Sequence, residues 1–251
     1  MGLLDIPAPL FAAADGLLGF LPVLLRLLFW AVATSCLSMG LYWLVSAQDK
    51  IEVAKKRAIA ARKKMSSYDG VEFDEMLPLA MDSLAASGKH VLIVMLPAML
   101  SSLPALSLIV WVSGQFSYQL PEVGEQIAIT STPALAVTNL ATDPNDPETQ
   151  TATWPSADNP VALIDQAGIE LTSLPLPASV PIVHQRAWWN SLIGNPNGYL
   201  PEQSDIQAVE FAIPRQKYLS IGPVWAHGWE IPYFLVLLLC SLGIKFVFKI
   251  H

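Results

Sequence analysis

From Gly16 to Ser46 the chain reads GLLGFLPVLLRLLFWAVATSCLSMGLYWLVS and carries one charged residue, Arg26. Crossing a hydrocarbon core takes roughly 20 consecutive apolar residues, so this stretch predicts a membrane span. Leu27 to Ser46 is sufficient by itself, which leaves Arg26 at its outer edge. Nine residues later, at Lys55, begins the basic run KKRAIAARKK. Lys and Arg collect on cytoplasmic flanks, so the run predicts that the span ends in the cytoplasm and that the N-terminus lies outside. With 53% hydrophobic and only 14% charged residues in 251, the whole chain has the composition of an integral membrane protein.

Two further apolar stretches complete three spans. Val91–Val112, VLIVMLPAMLSSLPALSLIVWV, contains Pro97 and Pro104, each of which removes a backbone donor, and Ser101 and Ser102 are placed to satisfy carbonyls freed in this way. Ile231–Phe248, IPYFLVLLLCSLGIKFVF, has Trp225, Trp229 and Tyr233 as an aromatic belt at its outer end and Lys245 and Lys249 at its inner end. Between the first two spans, Ile51, Ala54, Ala58, Ala61 and Met65 recur at three and four residues, predicting that the first helix runs on out of the bilayer with a narrow, coiled-coil-like stripe. After the turn Ser66-Ser67-Tyr68-Asp69-Gly70, the positions Phe73, Met76 or Leu77, Ala80 and Leu84 repeat the spacing, so an antiparallel pair is expected, closed by Ser87-Gly88-Lys89-His90.

Residues 116–222 hold no span. Between Phe116 and Trp229 there are eleven acids against Arg186, Arg215 and Lys217. Basic inside and acidic outside is the sorting of a membrane protein, and it argues against DNA or other nucleic acid as partner. Short β-branched runs (Glu125–Thr130, Ala134–Thr138, Val161–Ile164, Ile169–Leu171 and Ala208–Ile213) separated by Pro, Asp and Asn predict a small antiparallel sheet or sandwich. Asp143–Gln150, DPNDPETQ, is expected to be a polar loop, and His184–Ile193, HQRAWWNSLI, a short amphipathic helix whose Trp188 and Trp189 suit a membrane interface. Cys36 and Cys240 both lie in spans, so no disulfide holds the outer domain together.

The expected fold class is therefore integral membrane α-helical, with three transmembrane helices, a cytoplasmic helical hairpin and a small β-rich extracytoplasmic domain. Its expected parts are an interfacial segment over 1–22, a span over 23–46, the hairpin over 47–90, a span over 91–115, the outer domain over 116–222, and a last span with a short cytoplasmic tail over 223–251.

The basic hairpin DKIEVAKKRAIAARKKM, the stretch SLPALSLIVWVSGQFSYQLP that ends the second span, and the final GPVWAHGWEIPYFLVLLLCSLGIKFVFKI together resemble the YidC-type insertase superfamily. The resemblance is to its minimal three-span branch, which includes archaeal YidC-like proteins and the third subunit of the endoplasmic reticulum membrane protein complex. It covers roughly residues 17–120 and 220–250 and rests on architecture. It implies assistance to membrane insertion through a polar groove open towards the cytoplasm, with an arginine on the first core helix in that groove. The chain departs from the branch in carrying about a hundred residues as its outer connection, which points to a specialised partner.

Candidate groove residues are Arg26, Ser35, Ser38, Tyr42, Met95, Met99, Ser101 and Ser102. A charge within a span is costly and commonly functional, but Arg26 at the outer edge can also snorkel to headgroups. Ala31, Ser35, Ser38 and Tyr42 share one helical face, which suits either a close helix contact or a groove lining. Flexible methionines suit a surface accepting varied apolar segments, and equally suit packing. Lys55, Lys56, Arg57, Arg62, Lys63 and Lys64 are candidates for lipid or ribosome contact, or form a solvated orienting face. His90, His184, His227 and His251 lack ligand spacing, and neither a phosphate loop nor a nucleophile elbow is present. The expectation is a protein without enzymatic activity, cofactor or metal. It is expected to be a multi-pass protein of a bacterial inner membrane, acting as a YidC-like insertase or membrane chaperone on membrane protein clients. The other expectation is a structural accessory subunit of a larger membrane complex.

Overall fold

The structure, a computed structural model, describes residues 2–70, 72–134, 137–138, 140–143, 146–220 and 222–248. The chain forms two compact units, Met1–Leu28 with Ser107–Tyr233, and Phe29–Leu106 with Phe234–His251. Helices α1 (Ala8–Leu17), α2 (Val23–Val45), α3 (Gln48–Ser66), α4 (Phe73–Phe116) and α5 (Glu230–Val247) carry the helical part. Three of them, α2, α4 and α5, are long and apolar enough to cross a membrane, and an antiparallel sheet region accompanies them. The chain thus has the make-up of a multi-pass membrane protein.

The second unit holds the basic arm, and here two expectations exchange places. The first span does not run on into the arm: α2 stops at Val45, and Ala47, with ψ of 82°, is not helical. The backbone N–H of Gln48 donates to the carbonyl of Ser46 at 3.0 Å, and Asp49 in the first turn of α3 complements its new N-terminus. Conversely, Ser87–His90 does not close a hairpin. The helix α4 passes through it unbroken for 44 residues, about 66 Å at 1.5 Å per residue. Gly88 by itself costs only about 1 kcal/mol in a helix, and the strong helix formers before it and the apolar turns after it carry the helix on.

Within the arm the buried residues of α3 are Ile51, Ala54, Ala58 and Ala61, four of the five positions of the expected stripe. Ala58 and Ala61 pack on Ala86, and Arg57 approaches Asp82 at 3.8 Å. The partner stripe is not the expected one. Phe73 and Leu84 are exposed, whereas Ser83 and Ala86 are buried, because an alanine face admits only small side chains at close approach.

The first unit contains a five-stranded antiparallel sheet of order β2-β3-β1-β7-β6 and a separate hairpin β4-β5. The strands are β1 (Gln126–Thr132), β2 (Ala141–Asp143), β3 (Asp146–Thr153), β4 (Val161–Ile164), β5 (Glu170–Leu174), β6 (Ile182–His184) and β7 (Ala208–Phe211). Alternation along β1 points Ile127 and Ile129 into a core with Trp154, Leu163, Leu174, Val183, Val209 and Phe211. Asp143–Gln150 is not a loop: most of it pairs in β2 and β3, with Gln150 opposite Thr142. Gln150 is buried, its amide oxygen accepting from the Val137 N–H at 2.7 Å and its amide nitrogen donating to the Val137 carbonyl at 3.0 Å. Of the expected Ala134–Thr138 strand, residues 135 and 136 lie outside the described residues, and Thr138 forms an isolated bridge to Ile164.

His184–Ile193 is not an α-helix. His184 ends β6, and only Trp188–Ser191 turns, as a 3-10 helix, because Asn190 bonds its own loop through Ala187 N–H at 2.7 Å and the Ile193 carbonyl at 3.1 Å. Asp165 orders the β4-β5 turn. Its carboxylate accepts from the N–H groups of Ile169 (2.8 Å) and Ala167 (2.9 Å) and from the Ser204 hydroxyl (2.8 Å). These donors, Ile169 foremost, hold its carboxyl below the ordinary aspartate range.

Candidate functional site

Arg26 belongs to the first unit. Its guanidinium grips Asp15 in a fork, Nε to Oδ1 at 3.1 Å and Nη2 to Oδ2 in closer contact, and lies 5.7 Å from the centre of the Phe116 ring. Both side chains are largely removed from solvent, 19% exposed for Arg26 and 5% for Asp15. A fork onto a carboxylate uses the guanidinium's geometry fully and cancels its charge. The pair therefore fastens α1 to the start of α2. The same segment is tied again by Asp5, whose carboxylate accepts from the N–H of Gly194 at 2.6 Å, and by Leu4 N–H donating to the Leu192 carbonyl at 2.9 Å. Arg26 is thus a clamp residue bonded to Asp15, a partner the sequence leaves unsignalled eleven positions upstream.

The second unit contains a cavity of about 560 Å³. Four helices line it, most of them at helical spacing: Ser38, Met39 and Tyr42 from α2; Ile51 and Lys55 from α3; His90, Val94, Ala98 and Ser101 from α4; Lys245 from α5. The 4-4-3 spacing of the α4 residues puts them on one face. Three expected groove residues, Ser38, Tyr42 and Ser101, are brought together here with Lys55 of the basic run.

Ser35 is treated differently. Its hydroxyl donates to the Leu237 carbonyl on α5 at 2.7 Å and lies 3.1 Å from the Ser241 hydroxyl. Leu237, Ser241 and Lys245 follow one another at four residues, as Ser35, Ser38 and Tyr42 do at three and four. The two helices are therefore sealed by serine at Ser35 and diverge by the next turn, where Ser38, Tyr42 and Lys245 face the cavity. The small-residue face of α2 is helix contact at one end and cavity lining at the other.

The remaining expected groove residues lie elsewhere. Met95 and Met99 are exposed and do not line the cavity. Ser102 donates to the Met99 carbonyl at 2.7 Å, and Ser101 to the Ala98 carbonyl at 3.0 Å. These are back-bonds three residues away, not to the carbonyls of Ile93 and Leu100 that Pro97 and Pro104 free. In the basic run, Lys56 pairs with Glu52 at 2.6 Å, Arg57 with Asp82, and Arg62, Lys63 and Lys64 form an exposed face. A second, smaller hollow of about 350 Å³ lies between α3 and α4, lined by Asp49, Lys50, Arg57 and Lys89 among others.

His90 and Lys245 escaped sequence reasoning. The Nδ1 of His90 is buried with no hydrogen-bond partner. Among the described residues no group of His, Cys, Asp and Glu could hold a metal ion. Among the described residues no carboxylate lines the cavity, and the ionisable groups that do are Lys55, Lys245, His90 and the Tyr42 phenol. Such a site offers donors and positive charge in apolar surroundings. What it can do is hold an anionic or hydrogen-bonding group. No family model, no curated protein and no solved structure matches the chain.

Proposed function

We propose that the protein is a membrane insertase or membrane chaperone of YidC-like type, without enzymatic activity, in a bacterial inner membrane. Its N-terminus is outside, and its basic arm and C-terminus are in the cytoplasm. The observation that carries this reading is the cavity among the spans, lined by Ser38, Tyr42 and Ser101, which together with Lys55 of the arm offers a polar foothold to a segment entering the bilayer. Desolvating the polar backbone of such a segment is the costly step in insertion, and hydroxyls within the membrane region lower that cost. The positive-inside bias supports the orientation. The sheet domain, over 116–222, supplies a surface for a partner on the outer side.

Photocrosslinking from Ser38 in growing cells tests the reading. Crosslinks to several newly made membrane proteins are expected, and Ser38→Leu in the otherwise unaltered chain should slow their insertion. A single stoichiometric product would replace the proposal with the accessory-subunit reading, in which the cavity is a socket for one fixed neighbour.

A further inference from the structure

The cavity gathers positive charge for which the described residues offer no counter-charge. Lys55 of the basic helix α3 and Lys245 of the apolar helix α5, both solvent-accessible, line one hollow, and among the described residues no Asp or Glu lines it. The nearest acid along α3, Glu52, is engaged with Lys56. The Nδ1 of His90 is an unmet polar atom at the same place. Two like charges that face one hollow repel each other, and an anion bound between them relieves the repulsion. Beside the hydroxyls of Ser38, Tyr42 and Ser101, the lining has an apolar part, Met39, Ile51, Val94 and Ala98, which belongs, Ile51 apart, to helices long enough to cross a membrane.

We infer that the Lys55–His90–Lys245 end of the cavity binds the phosphate of an anionic phospholipid, the acyl chains lying along Met39, Val94 and Ala98. A phosphate supplies acceptor oxygens for both ammonium groups and for an N–H at His90 Nδ1. Free phosphate shares this chemistry, but the apolar part of the lining, on membrane-length helices, favours a ligand with chains. The inference goes beyond the insertion reading and holds equally for an accessory subunit.

The test is native mass spectrometry of the full-length chain in mild detergent with equimolar phosphatidylglycerol and phosphatidylcholine. Juxtamembrane lysines each strengthen binding of anionic lipid severalfold, so retention of one phosphatidylglycerol with about tenfold preference or more is expected. The preference falls to near parity in Lys55→Gln/Lys245→Gln, whereas Lys63→Gln/Lys64→Gln on the exposed face retains it. Lys245→Gln alone, at an exposed position near the end of α5, is the second variant should the double variant fold poorly, and a fall in preference of a few fold is expected. Unchanged preference in a folded cavity variant overturns the inference. Displacement by millimolar inorganic phosphate with no choice between lipids reassigns the site to free phosphate and overturns the lipid. Displacement by an acidic client peptide but not by lipid does the same in favour of the client. The readout contains no insertion step, so it stands or fails separately from crosslinking at Ser38.

Discussion

Arg26 and the Lys55–Lys245 pair are cations that lie beside membrane-length helices, and they meet opposite fates. Arg26 has a carboxylate in a two-point grip and an aromatic ring beside it. The lysines share a hollow with an unpartnered imidazole nitrogen and no acid. A charge whose partner lies within the chain is fastening, and a charge left without one is available to something else. Position in the sequence does not separate the two cases, since Arg26 lies in the longer apolar run and looks the more functional of them.

The largest effect expected from this contrast is at the clamp. Asp15→Ala leaves the guanidinium without its anion and costs about 3 kcal/mol or more, whereas Asp15→Ala with Arg26→Met recovers much of the loss. Thermal unfolding in detergent measures both. Lys55→Gln/Lys245→Gln should leave the melting temperature unchanged or raise it. A loss there as large as at Asp15 would dissolve the contrast, because the lysines would then be fastening too.

Next in size is the arm. Ala86→Leu forces bulk into the close approach of Ala58 and Ala61 and should cost about 1–3 kcal/mol, while Leu84→Ala on the exposed face changes little. The two ends of the α2 serine face then sharpen the contrast between contact and lining. Ser35→Ala removes the bond to α5 and should cost about 0.6 kcal/mol, the average for a hydrogen bond between membrane helices. Ser38→Leu fills open space, leaves stability nearly unchanged and should slow insertion of clients, measured as the fraction of newly made membrane protein protected from protease.

The smallest effect concerns pH and the sheet domain. The Asp165 carboxyl is depressed in the folded state by its backbone and Ser204 donors. Its contribution to stability is therefore present above the ordinary aspartate value of 3.8 and fades as pH falls through the lower folded value. Asp165→Asn should flatten that region of the acid unfolding curve, followed by tryptophan fluorescence of the core residue Trp154.

Much of this was legible in advance, for identifiable reasons. A span is a statement about length and apolarity, both one-dimensional, and the three helices long enough to cross coincide with the three apolar stretches. The alanine stripe of α3 follows from period alone. The β4 strand, Val161–Ile164, was readable because β-branched residues met turn residues at both ends. Asp146–Gln150 was not, since this polar half of β3 carries no apolar alternation and depends on the strands on its two sides, β2 and β1, for its hydrogen bonds. The continuity of α4 through Gly88 was hidden because a helix end is a balance of local costs of about 1 kcal/mol, which the turns on both sides decide together.

By itself, the sequence determined how many helices can cross a membrane, which faces of them carry small and hydroxyl side chains, and where positive charge collects. Each of these is a property of neighbours along one chain. The tertiary structure decided which charge has a partner, that Ser35 is sealed while Ser38 is open, and that His90 and Lys245 join Lys55. Those outcomes depend on the rotation and spacing of helices far apart in sequence, where a change of one helical turn converts a hydrogen-bonded contact into an open cavity.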